Sequence, residues 1–306
     1  HQVDGLRHPE LFDLWVKQVC GVERRVFFSK EDQIEPNTPT EFTEYMGTLA
    51  GRNALKKANI DPESIDCVIF SSFTPSKLIP NAGCTTAHFL GTKGAAAYHI
   101  NTACSGFVDG LGLAQGLIRA KMYKRIMVIA SETMSVNMNF DDVTTAILFA
   151  DGACAAILEE TPDSGGVLSY VSMTSYNREM LDMDLGKAIR MAGGPYVQRN
   201  AVNGMYGALE KAVLKAGIKL EDIQYVFPHQ ANLRILQAFA DKLHLPHERM
   251  LQTVTSTGNT SSSAVGIGLD MAFDGKLKPF DLKKDDIIAV TAVGGGYTFC
   301  TLLYRI

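Results

Sequence analysis

A cysteine stands in this sequence where an extended segment gives way to a helix, which is a favourable place for nucleophilic chemistry. Cys104 follows the apolar run 95–100 and precedes a predicted helix over residues 106–121. At that junction the sulfur faces the unpaired N–H groups and the positive end of the helix, which favour a thiolate. The commoner fate of an intracellular cysteine is a buried, inert thiol, and the position alone leaves that alternative open.

A histidine and an asparagine occupy comparable junctions later in the chain. His229 follows the predicted strand 224–227 and precedes a predicted helix, 233–243. Ligands of open α/β sheets bind at the carboxyl ends of strands, although a capping histidine is an equal alternative. Asn259 precedes a helix of small residues, 264–273, where an ordinary N-cap is the alternative role.

A run of three glycines, 294–296, follows the predicted strand 287–293. Glycines leave backbone N–H groups free to point at a ligand, as an oxyanion hole requires, although turns use such runs too. Gly295, in the middle of the run, is the candidate donor.

Predicted strands and helices alternate along the chain, which indicates βα units and a mostly parallel sheet. Buried strands are expected over residues 66–71 and 125–131, a short strand within 20–28, and two strands within 146–159. The other cysteines, apart from Cys104 and Cys20, are expected to be core thiols.

An internal repeat divides the chain. Residues 54–69 align with residues 212–227 at an offset of 158, and both read as a helix, a turn and a buried strand. We therefore predict two similar α/β halves, 1–160 and 161–306. The second half opens with a strand, 166–174, that has no counterpart in the first, so either the N-terminus is truncated or an opening strand lies outside the given residues.

Composition bounds the partners and the compartment. The chain has 306 residues, a net charge of −4 and 46% hydrophobic residues, which is typical of a globular protein and argues against nucleic-acid or membrane binding. Six cysteines without a C-x-x-C pair argue against zinc and against a disulfide framework, so we expect a cytoplasmic location. Neither a signal peptide nor a membrane-spanning run is evident.

Taken together, these motifs resemble the thiolase superfamily and, within it, the β-ketoacyl-acyl-carrier-protein synthase III family. The resemblance runs nearly end to end. It rests on the strings Asn101-Thr-Ala-Cys-Ser-Gly-Phe107, Phe149-Ala-Asp-Gly-Ala153, Pro228-His-Gln-Ala-Asn-Leu-Arg234, Gly258-Asn-Thr-Ser261 and Gly294-Gly-Gly-Tyr-Thr298.

The resemblance implies a layered α-β-α-β-α thiolase-like fold and a decarboxylative condensation. Cys104 would take an acyl group from a thioester, and His229 and Asn259 would stabilise the enolate formed from malonyl-acyl carrier protein. The N–H groups of Cys104 and Gly295 would form a second oxyanion hole. Neither a metal nor a redox cofactor is implied; coenzyme A and acyl carrier protein thioesters are the substrates.

The resemblance also implies binding residues and a homodimer. Matching positions place Trp15 and Arg25 beside coenzyme A, and Gly193 and Asn232 along pantetheine. The acidic carrier protein would meet Arg234 and Lys242, and Arg199 would join them.

Two departures from the family pattern concern the primer. Val143 stands where members that use coenzyme A primers often carry an arginine. Ile79 stands where an aromatic residue caps the acyl pocket of the neighbouring subunit, so we expect a reshaped pocket and a primer other than acetyl.

Several alternatives stay open. One is a specialised synthase III-like acyltransferase of secondary metabolism or biotin synthesis with a non-acetyl primer, and a more distant one is a cysteine hydrolase.

A thiolase would need a second catalytic cysteine, and Cys300 lies on a strand instead of in a loop. A hydroxymethylglutaryl-CoA synthase would need a glutamate base, which is not evident in loop 72–81, and a type III polyketide synthase lacks the carrier-protein string. Rapid alkylation of Cys104 over the other five thiols is expected of a catalytic cysteine.

Overall fold

Two four-stranded mixed sheets organise the chain. The computed structural model describes residues 9–161, 165–177, 181–191 and 193–306. The first sheet has the order β2-β1-β3-β4 and the second the order β5-β10-β9-β8, with a small hairpin, β6-β7, beside them. The strands are β1 (Cys67–Ser71), β2 (Ala96–Ile100), β3 (Arg125–Glu132), β4 (Gly152–Glu159), β5 (Gly166–Thr174), β6 (Leu181–Asp182), β7 (Arg190–Met191), β8 (Ile223–Pro228), β9 (Ile287–Gly294) and β10 (Thr298–Arg305).

Helices cover both faces of each sheet. In chain order they are α1 (Pro9–Cys20), α2 (Phe42–Ala58), α3 (Ala82–Leu90), α4 (Gly106–Arg119), α5 (Val143–Ala146), α6 (Gly194–Ala216), α7 (Leu233–Leu243), α8 (Val254–Thr257) and α9 (Ala264–Phe273). None of the helices within the described ranges is long and apolar enough to cross a membrane.

The layers follow from the two-residue period of the strands. In β1, Cys67 and Ile69 belong to a core that contains α4 and α9, whereas Val68 and Phe70 belong to a core under α2 and α3. The second sheet shares the central core and presents its other face to α6 and α7. The order of layers is therefore α-β-α-β-α, and the predicted thiolase-like fold class is confirmed.

The central helices pack closely because glycines face the sheets. A Cβ atom on Gly110 of α4 would lie 2.7 Å from Cγ1 of Val128, and one on Gly266 of α9 would collide with the sulfur of Cys154. Since real Cβ atoms do not approach other atoms so closely, side chains at these positions would push a helix off its sheet.

The two sheets repeat one topology. In the first, β1 lies parallel to β3 and β3 antiparallel to β4; in the second, β8 lies parallel to β9 and β9 antiparallel to β10. The first sheet is mostly parallel, as the sequence predicts, with one antiparallel pair, whereas the second sheet is mostly antiparallel. The two strands expected within 146–159 are a single strand, β4, preceded by the short helix α5.

The strand expected within 20–28 is wrong as well. This segment bonds to separate parts of the chain: Glu23 and Arg24 donate their N–H groups to the Thr255 carbonyl, while the Val26 carbonyl accepts from Asp151. Such partners do not form a continuous ladder, so the segment is a connection that ties α1 to the second half.

The outer edges of the two sheets differ. β5 pairs with β10 in the second sheet, whereas within the described ranges no strand pairs with the outer edge of β4. Residues 1–8, which precede α1, lie outside the described residues. A counterpart of β5 in the first half therefore stays a prediction from the sequence.

Candidate active site

Cys104 lies in a one-turn 3-10 helix, Ala103–Ser105, that joins the end of β2 to α4. We call this segment the Cys104 turn. Ala103 has a φ angle of +50°, a left-handed conformation that a non-glycine residue adopts at a cost. The N–H group of Ala103 donates to Oδ1 of Asn101 at 3.1 Å, which stabilises this sharp change of direction. The strained turn aims the sulfur into the space between the two halves.

Three donors from the protein surround the Cys104 sulfur. The Ser261 hydroxyl donates to Sγ at 3.3 Å, and the N–H groups of Cys104 and Gly295 also point at it. The residue is only 5% exposed, and burial raises the pKa of the Cys104 thiol to about 12 despite these donors. Cys104 is therefore a protonated thiol in the folded protein; the helix terminus favours a thiolate, as expected from the sequence, but burial outweighs it.

The glycines at the end of β9 admit this arrangement. A Cβ atom on Gly294 would collide with the carbonyl oxygen of Thr102, so only glycine lets β9 reach the Cys104 turn. The neighbouring Gly295 is covered by Leu181 of the hairpin, whose Cδ2 would lie 2.9 Å from a Cβ atom at that position. Gly295 thus presents its N–H group to the sulfur under an apolar cover.

His229 follows β8 and is held by its backbone, since its N–H group donates to the Thr291 carbonyl at 2.8 Å. The side chain is 2% exposed, and burial lowers the pKa of His229 to about 4. Nδ1 is enclosed without a hydrogen-bond partner, whereas Nε2 is not enclosed and makes no hydrogen bond within the described protein. The imidazole is therefore neutral at pH 7 and has one nitrogen open to a ligand.

Asn259 is fixed on both sides by the segment that contains the Phe-Ala-Asp-Gly string. Its N–H group donates to the Leu148 carbonyl at 2.9 Å, and its carbonyl accepts from Ala150 at 2.9 Å. Its side-chain oxygen accepts from the N–H group of Ser261, also at 2.9 Å. The amide NH₂ group is left to donate to a ligand.

Ser261 joins two of the three predicted residues. Its hydroxyl contacts the Cys104 sulfur while its N–H group holds the Asn259 side chain. His229 follows β8, which pairs with β9, and the end of β9 packs on the Cys104 turn. Thiol, imidazole and carboxamide thus come from separate strand ends and a turn that meet between the halves.

The internal repeat extends into the site. Residues 101–105 and 259–263 stand at the same offset of 158 and share Asn-Thr at their start. In each segment the third residue donates its N–H group to the asparagine side chain, at 3.1 Å and 2.9 Å, and the final serine donates to the threonine carbonyl, at 2.7 Å and 2.9 Å. The second segment contains the Ser262 turn (Ser261–Ser263), in which Ser262 is equivalent to Cys104.

Sequence reasoning missed Ser261 as a contact of the sulfur, although the repeat contained the signal. Ser261 belongs to the Gly258-Asn-Thr-Ser261 string, and the repeat identified in residues 54–69 and 212–227 continues beyond residue 227. Extending the offset of 158 pairs the two turns and indicates that they face each other across the molecule.

The residues expected to meet coenzyme A have structural partners of their own. Trp15 is half-buried beside Phe12, with ring centroids 5.7 Å apart. Arg25 donates to the carbonyl oxygens of Ala146 and, at 3.3 Å, Phe149, and burial lowers the pKa of its guanidinium. One guanidinium nitrogen of Arg25, Nη1, is therefore engaged by the protein backbone.

The expected pantetheine contacts lie at the starts of two helices. Gly193 adopts a left-handed conformation, with φ at +63°, and precedes α6. Asn232 is the N-cap of α7, and its side-chain oxygen accepts from the N–H group of Ile235 at 2.9 Å. Asn232 retains its NH₂ group for another partner.

The expected carrier-protein residues are exposed. Arg234 donates to the carbonyl oxygen of Gln18 at 2.8 Å, and the Lys242 ammonium lies 4.6 Å from the centroid of the Tyr206 ring. Arg199 is exposed on α6. These cations lie on or beside α6 and α7 and form a loose basic surface.

Two further positions bear on the primer and on thiol labelling. Ile79 is 89% exposed, so it does not line a pocket of its own protomer. Cys84 is exposed on α3, which corrects its expected place in the core and offers alkylating agents a thiol more accessible than Cys104. Alkylation rates alone therefore do not identify a catalytic cysteine in this protein.

The chain is similar to known proteins over nearly its whole length. Profiles described as 3-oxoacyl-[acyl-carrier-protein] synthase III and its C-terminal region match residues 98–175 and 213–306. It is 35% identical to β-ketoacyl-[acyl-carrier-protein] synthase III of Aquifex aeolicus, covering 96% of this chain and 90% of the relative.

Solved structures agree with the sequence comparisons. The crystal structure of 3-oxoacyl-[acyl-carrier-protein] synthase III from Aquifex aeolicus superposes with a TM-score of 0.87 at 33% identity, covering 96% of this chain and 91% of that one. The priming β-ketosynthase of the R1128 polyketide biosynthetic pathway superposes with a TM-score of 0.82 at 28% identity, covering 96% and 88%.

Proposed function

Because the chain belongs to the 3-oxoacyl-[acyl-carrier-protein] synthase III family, we propose that it is an acyltransferase that condenses an acyl-thioester primer with malonyl-acyl carrier protein. One observation carries this proposal beyond the family name. The Cys104 sulfur lies among three hydrogen-bond donors, and the open donors of His229 and Asn259 come from the segments that surround it.

Acyl transfer is the first half-reaction. The Cys104 sulfur attacks the thioester carbonyl of the primer, a carbon–sulfur bond to Cys104 forms, and the bond to the donor sulfur breaks. The proton of the Cys104 thiol leaves with the released thiol of the donor. Negative charge develops on the carbonyl oxygen, where the N–H groups of Cys104 and Gly295 stabilise it.

Condensation is the second half-reaction. The bond between the malonyl α-carbon and its carboxylate breaks, CO₂ leaves, and the electron pair passes into an enolate. Nε2–H of His229 and the NH₂ group of Asn259 donate to the enolate oxygen. The α-carbon then attacks the acyl carbonyl on Cys104, a carbon–carbon bond forms, and the sulfur leaves as a thiolate that takes up a proton.

The neutral state of His229 suits this chemistry. Decarboxylation needs donors for the enolate oxygen and no carboxylate base, and an imidazole with a pKa of about 4 stays neutral through the physiological range. A neutral imidazole donates through Nε2 only when that nitrogen carries the proton. The donor role therefore assigns the Nε2–H tautomer to His229.

Substrate delivery involves the surface near the site. We infer that Trp15, Arg25, Gly193 and Asn232 lie along the path of coenzyme A and pantetheine, and that Arg234 and Lys242 contact the acidic carrier protein. The exposure of both cations supports this role, because electrostatic attraction between exposed charges steers association.

We also propose a homodimer in which Ile79 reaches the site of the partner subunit. Leu78 and Ile79 are 72% and 89% exposed at the tip of a loop whose base is firmly bonded, and adjacent exposed apolar side chains favour a covered surface. An aliphatic side chain at this position supports a primer that differs from acetyl.

Acyl loading tests the proposed function. The protein is incubated with acyl-CoA donors of increasing length, and intact mass spectrometry follows the acyl adduct. We expect an adduct on Cys104, faster from longer donors than from acetyl-CoA. Cys104→Ala abolishes the adduct, whereas His229→Ala and Asn259→Ala retain it and lower condensation with malonyl-acyl carrier protein about 100-fold or more.

The outcomes of this experiment separate the parts of the proposal. A parent protein that forms no Cys104 adduct with any donor would contradict the acyltransferase function. Preference for acetyl-CoA would contradict only the primer assignment. A protein that loads but does not condense would overturn the roles of His229 and Asn259.

A second candidate function differs in the primer and the pathway. The similarity to the priming β-ketosynthase of the R1128 polyketide biosynthetic pathway, together with Val143 and Ile79, favours a specialised synthase that starts a secondary metabolite. Strong loading from branched or longer donors, with little from acetyl-CoA, distinguishes it from a general synthase of fatty acid biosynthesis.

A further inference from the structure

Glu132, the last residue of β3, is a fully buried acid that the two half-reactions do not use. Its Oε2 accepts from the Ser72 hydroxyl at 3.0 Å, from the Thr74 hydroxyl at 2.7 Å, and from the N–H groups of Phe73 and Thr74 at 3.3 Å and 3.2 Å. Its Oε1 accepts from the Ser262 hydroxyl at 2.7 Å. One carboxyl therefore binds two chain segments that are distant in sequence.

The strand registers identify what Glu132 replaces in the other half. In the first sheet Ile69 pairs with Val128, and in the second Phe227 pairs with Val290. Continuing each strand to its end makes Glu132 equivalent to Gly294. Each strand end packs on the turn of the other half: β9 on the Cys104 turn and β3 on the Ser262 turn.

Because glycine stands at one strand end and glutamate at the other, the surroundings of the two turns differ. At the Cys104 turn, a Cβ atom on Gly294 would collide with the carbonyl oxygen of Thr102, so the strand end can carry no side chain there. At the Ser262 turn, the carboxyl of Glu132 occupies the corresponding place and bonds to Ser262. The strand end at the Cys104 turn therefore carries no side chain, whereas the strand end at the Ser262 turn carries a carboxyl group that bonds to the turn.

The contact between Glu132 and the Ser262 turn bears directly on the site, because Ser261 belongs to the same turn. Ser261, the preceding residue, donates to the Cys104 sulfur and holds the side chain of Asn259. Ser261 has a φ angle of +54°, so the turn is in a costly conformation and needs its surroundings to maintain it.

We propose that Glu132 is a positioning residue for the condensation step: its carboxyl holds the Ser262 turn so that Asn259 and Ser261 face Cys104. This inference rests on the proposed function. Glu132 touches neither substrate and acts through the turn. Acyl transfer depends on the N–H groups of Cys104 and Gly295, whereas condensation also needs the Asn259 amide, so loss of Glu132 affects condensation more.

Hydrogen-bonding capacity separates the informative variants. In Glu132→Gln the amide oxygen still accepts from the loop donors, and its NH₂ group donates to Ser262, whose hydroxyl can turn to accept. Glu132→Ala removes the hydrogen bonds both to loop residues 72–74 and to Ser262. Ser262→Ala removes only the hydrogen bond between the turn and Glu132. Glu44→Ala is the matched control, because this buried carboxyl binds the same loop through Ser76 and does not touch the Ser262 turn.

The test measures the two half-reactions separately in each variant: acyl loading of Cys104 by intact mass, and condensation by release of the β-ketoacyl product. We expect Glu132→Ala to lower the condensation kcat about 10- to 100-fold, with loading and the KM for the malonyl thioester within about threefold of the parent. Ser262→Ala shows the same selective loss, about three- to tenfold, and Glu132→Gln stays within about threefold.

Three results would overturn the assignment. The first is condensation at the parent rate in both Glu132→Ala and Ser262→Ala. The second is equal loss of loading and condensation, which indicates general scaffolding. The third is the same selective loss in Glu44→Ala, which assigns the effect to the loop. If Glu132→Ala does not fold, Ser262→Ala decides alone, and a parent that neither loads nor condenses contradicts the proposed function instead.

Discussion

At the scale of single residues, Cys104 and His229 are both neutral in the folded protein for the same reason. Each is almost completely enclosed, and burial penalises a thiolate and an imidazolium alike. A cysteine–histidine ion pair, the resting state of many cysteine hydrolases, is therefore disfavoured here. Charge instead develops during the reaction, on oxygens for which donors are already in place.

Burial of neutral His229 predicts a pH-dependent contribution to stability. Its pKa is about 4 in the folded protein, whereas an unperturbed histidine, as in the unfolded chain, has a pKa of 6.5. As the pH falls, the imidazole is therefore protonated in the unfolded chain before it is protonated in the folded protein. The contribution of neutral His229 to the free energy of unfolding is complete above pH 6.5 and is lost as the pH falls toward 4. The loss is about 2 kcal/mol at pH 5. We expect His229→Gln to reduce this loss, measured by thermal unfolding at pH 7.5, 6 and 5.

The comparison isolates His229 because all other groups titrate equally in both proteins. The difference in midpoint between parent and His229→Gln should move in favour of the variant as the pH falls. A constant difference between pH 7.5 and pH 5 would show that His229 is not buried as a neutral group.

At the scale of elements, the central helix α4 contains glycines in two different environments. Gly110 faces Val128 of β3, whereas an added Cβ atom on the exposed Gly116 meets nothing within 4 Å. Only tertiary contacts distinguish the two positions, because both glycines lie within the same helix. The same helix thus offers a test of close packing with an internal control.

We expect Gly110→Ala to destabilise the protein and Gly116→Ala to stabilise it. The first places a methyl group 2.7 Å from a Val128 carbon, with an expected cost of about 1–3 kcal/mol. The second gains the helix propensity of alanine, about 0.5–1 kcal/mol. Denaturant unfolding measures both, and equal shifts of the two midpoints would contradict the packing described for α4.

At the scale of the whole molecule, the exposed apolar loop tip at Ile79 is placed to contact the partner subunit of the proposed dimer. Two buried carboxyl groups hold the base of the loop, Glu132 through residues 72–74 and Glu44 through Ser76, so an exposed tip extends from a rigid support. In the proposed dimer this support presents Ile79 to the partner's acyl pocket.

A larger side chain at this tip is expected to change the primer preference of the dimer. Ile79→Phe narrows the partner's pocket and shifts Cys104 loading toward shorter donors, by about tenfold in the ratio of short to long acyl groups. Leu78→Phe, one residue away, serves as the control. Light scattering gives the oligomeric state of each variant.

Two results would remove this interpretation. A monomeric parent protein leaves Ile79 without a pocket to enter. An unchanged donor preference in dimeric Ile79→Phe would place the specificity determinant elsewhere.

The sequence by itself determined the family, the fold class and the three candidate residues. Cys104, His229 and Asn259 stand out because chemistry demands particular residue types at junctions between elements, and such junctions can be read from local patterns. Strands and helices with clear periodicity, such as α7 and β3, were predicted nearly residue by residue. The strand within 20–28 was not, because its backbone partners lie far along the chain.

Only the tertiary structure decided the environment of those residues. Protonation of Cys104 depends on burial by segments from both halves, which outweighs the local effect of its helix. The contact with Ser261, the exposure of Cys84 and the difference between Gly294 and Glu132 at equivalent strand ends likewise arise from elements far apart in sequence. Local patterns specify which groups a site contains; packing specifies which of them are charged, open or closed.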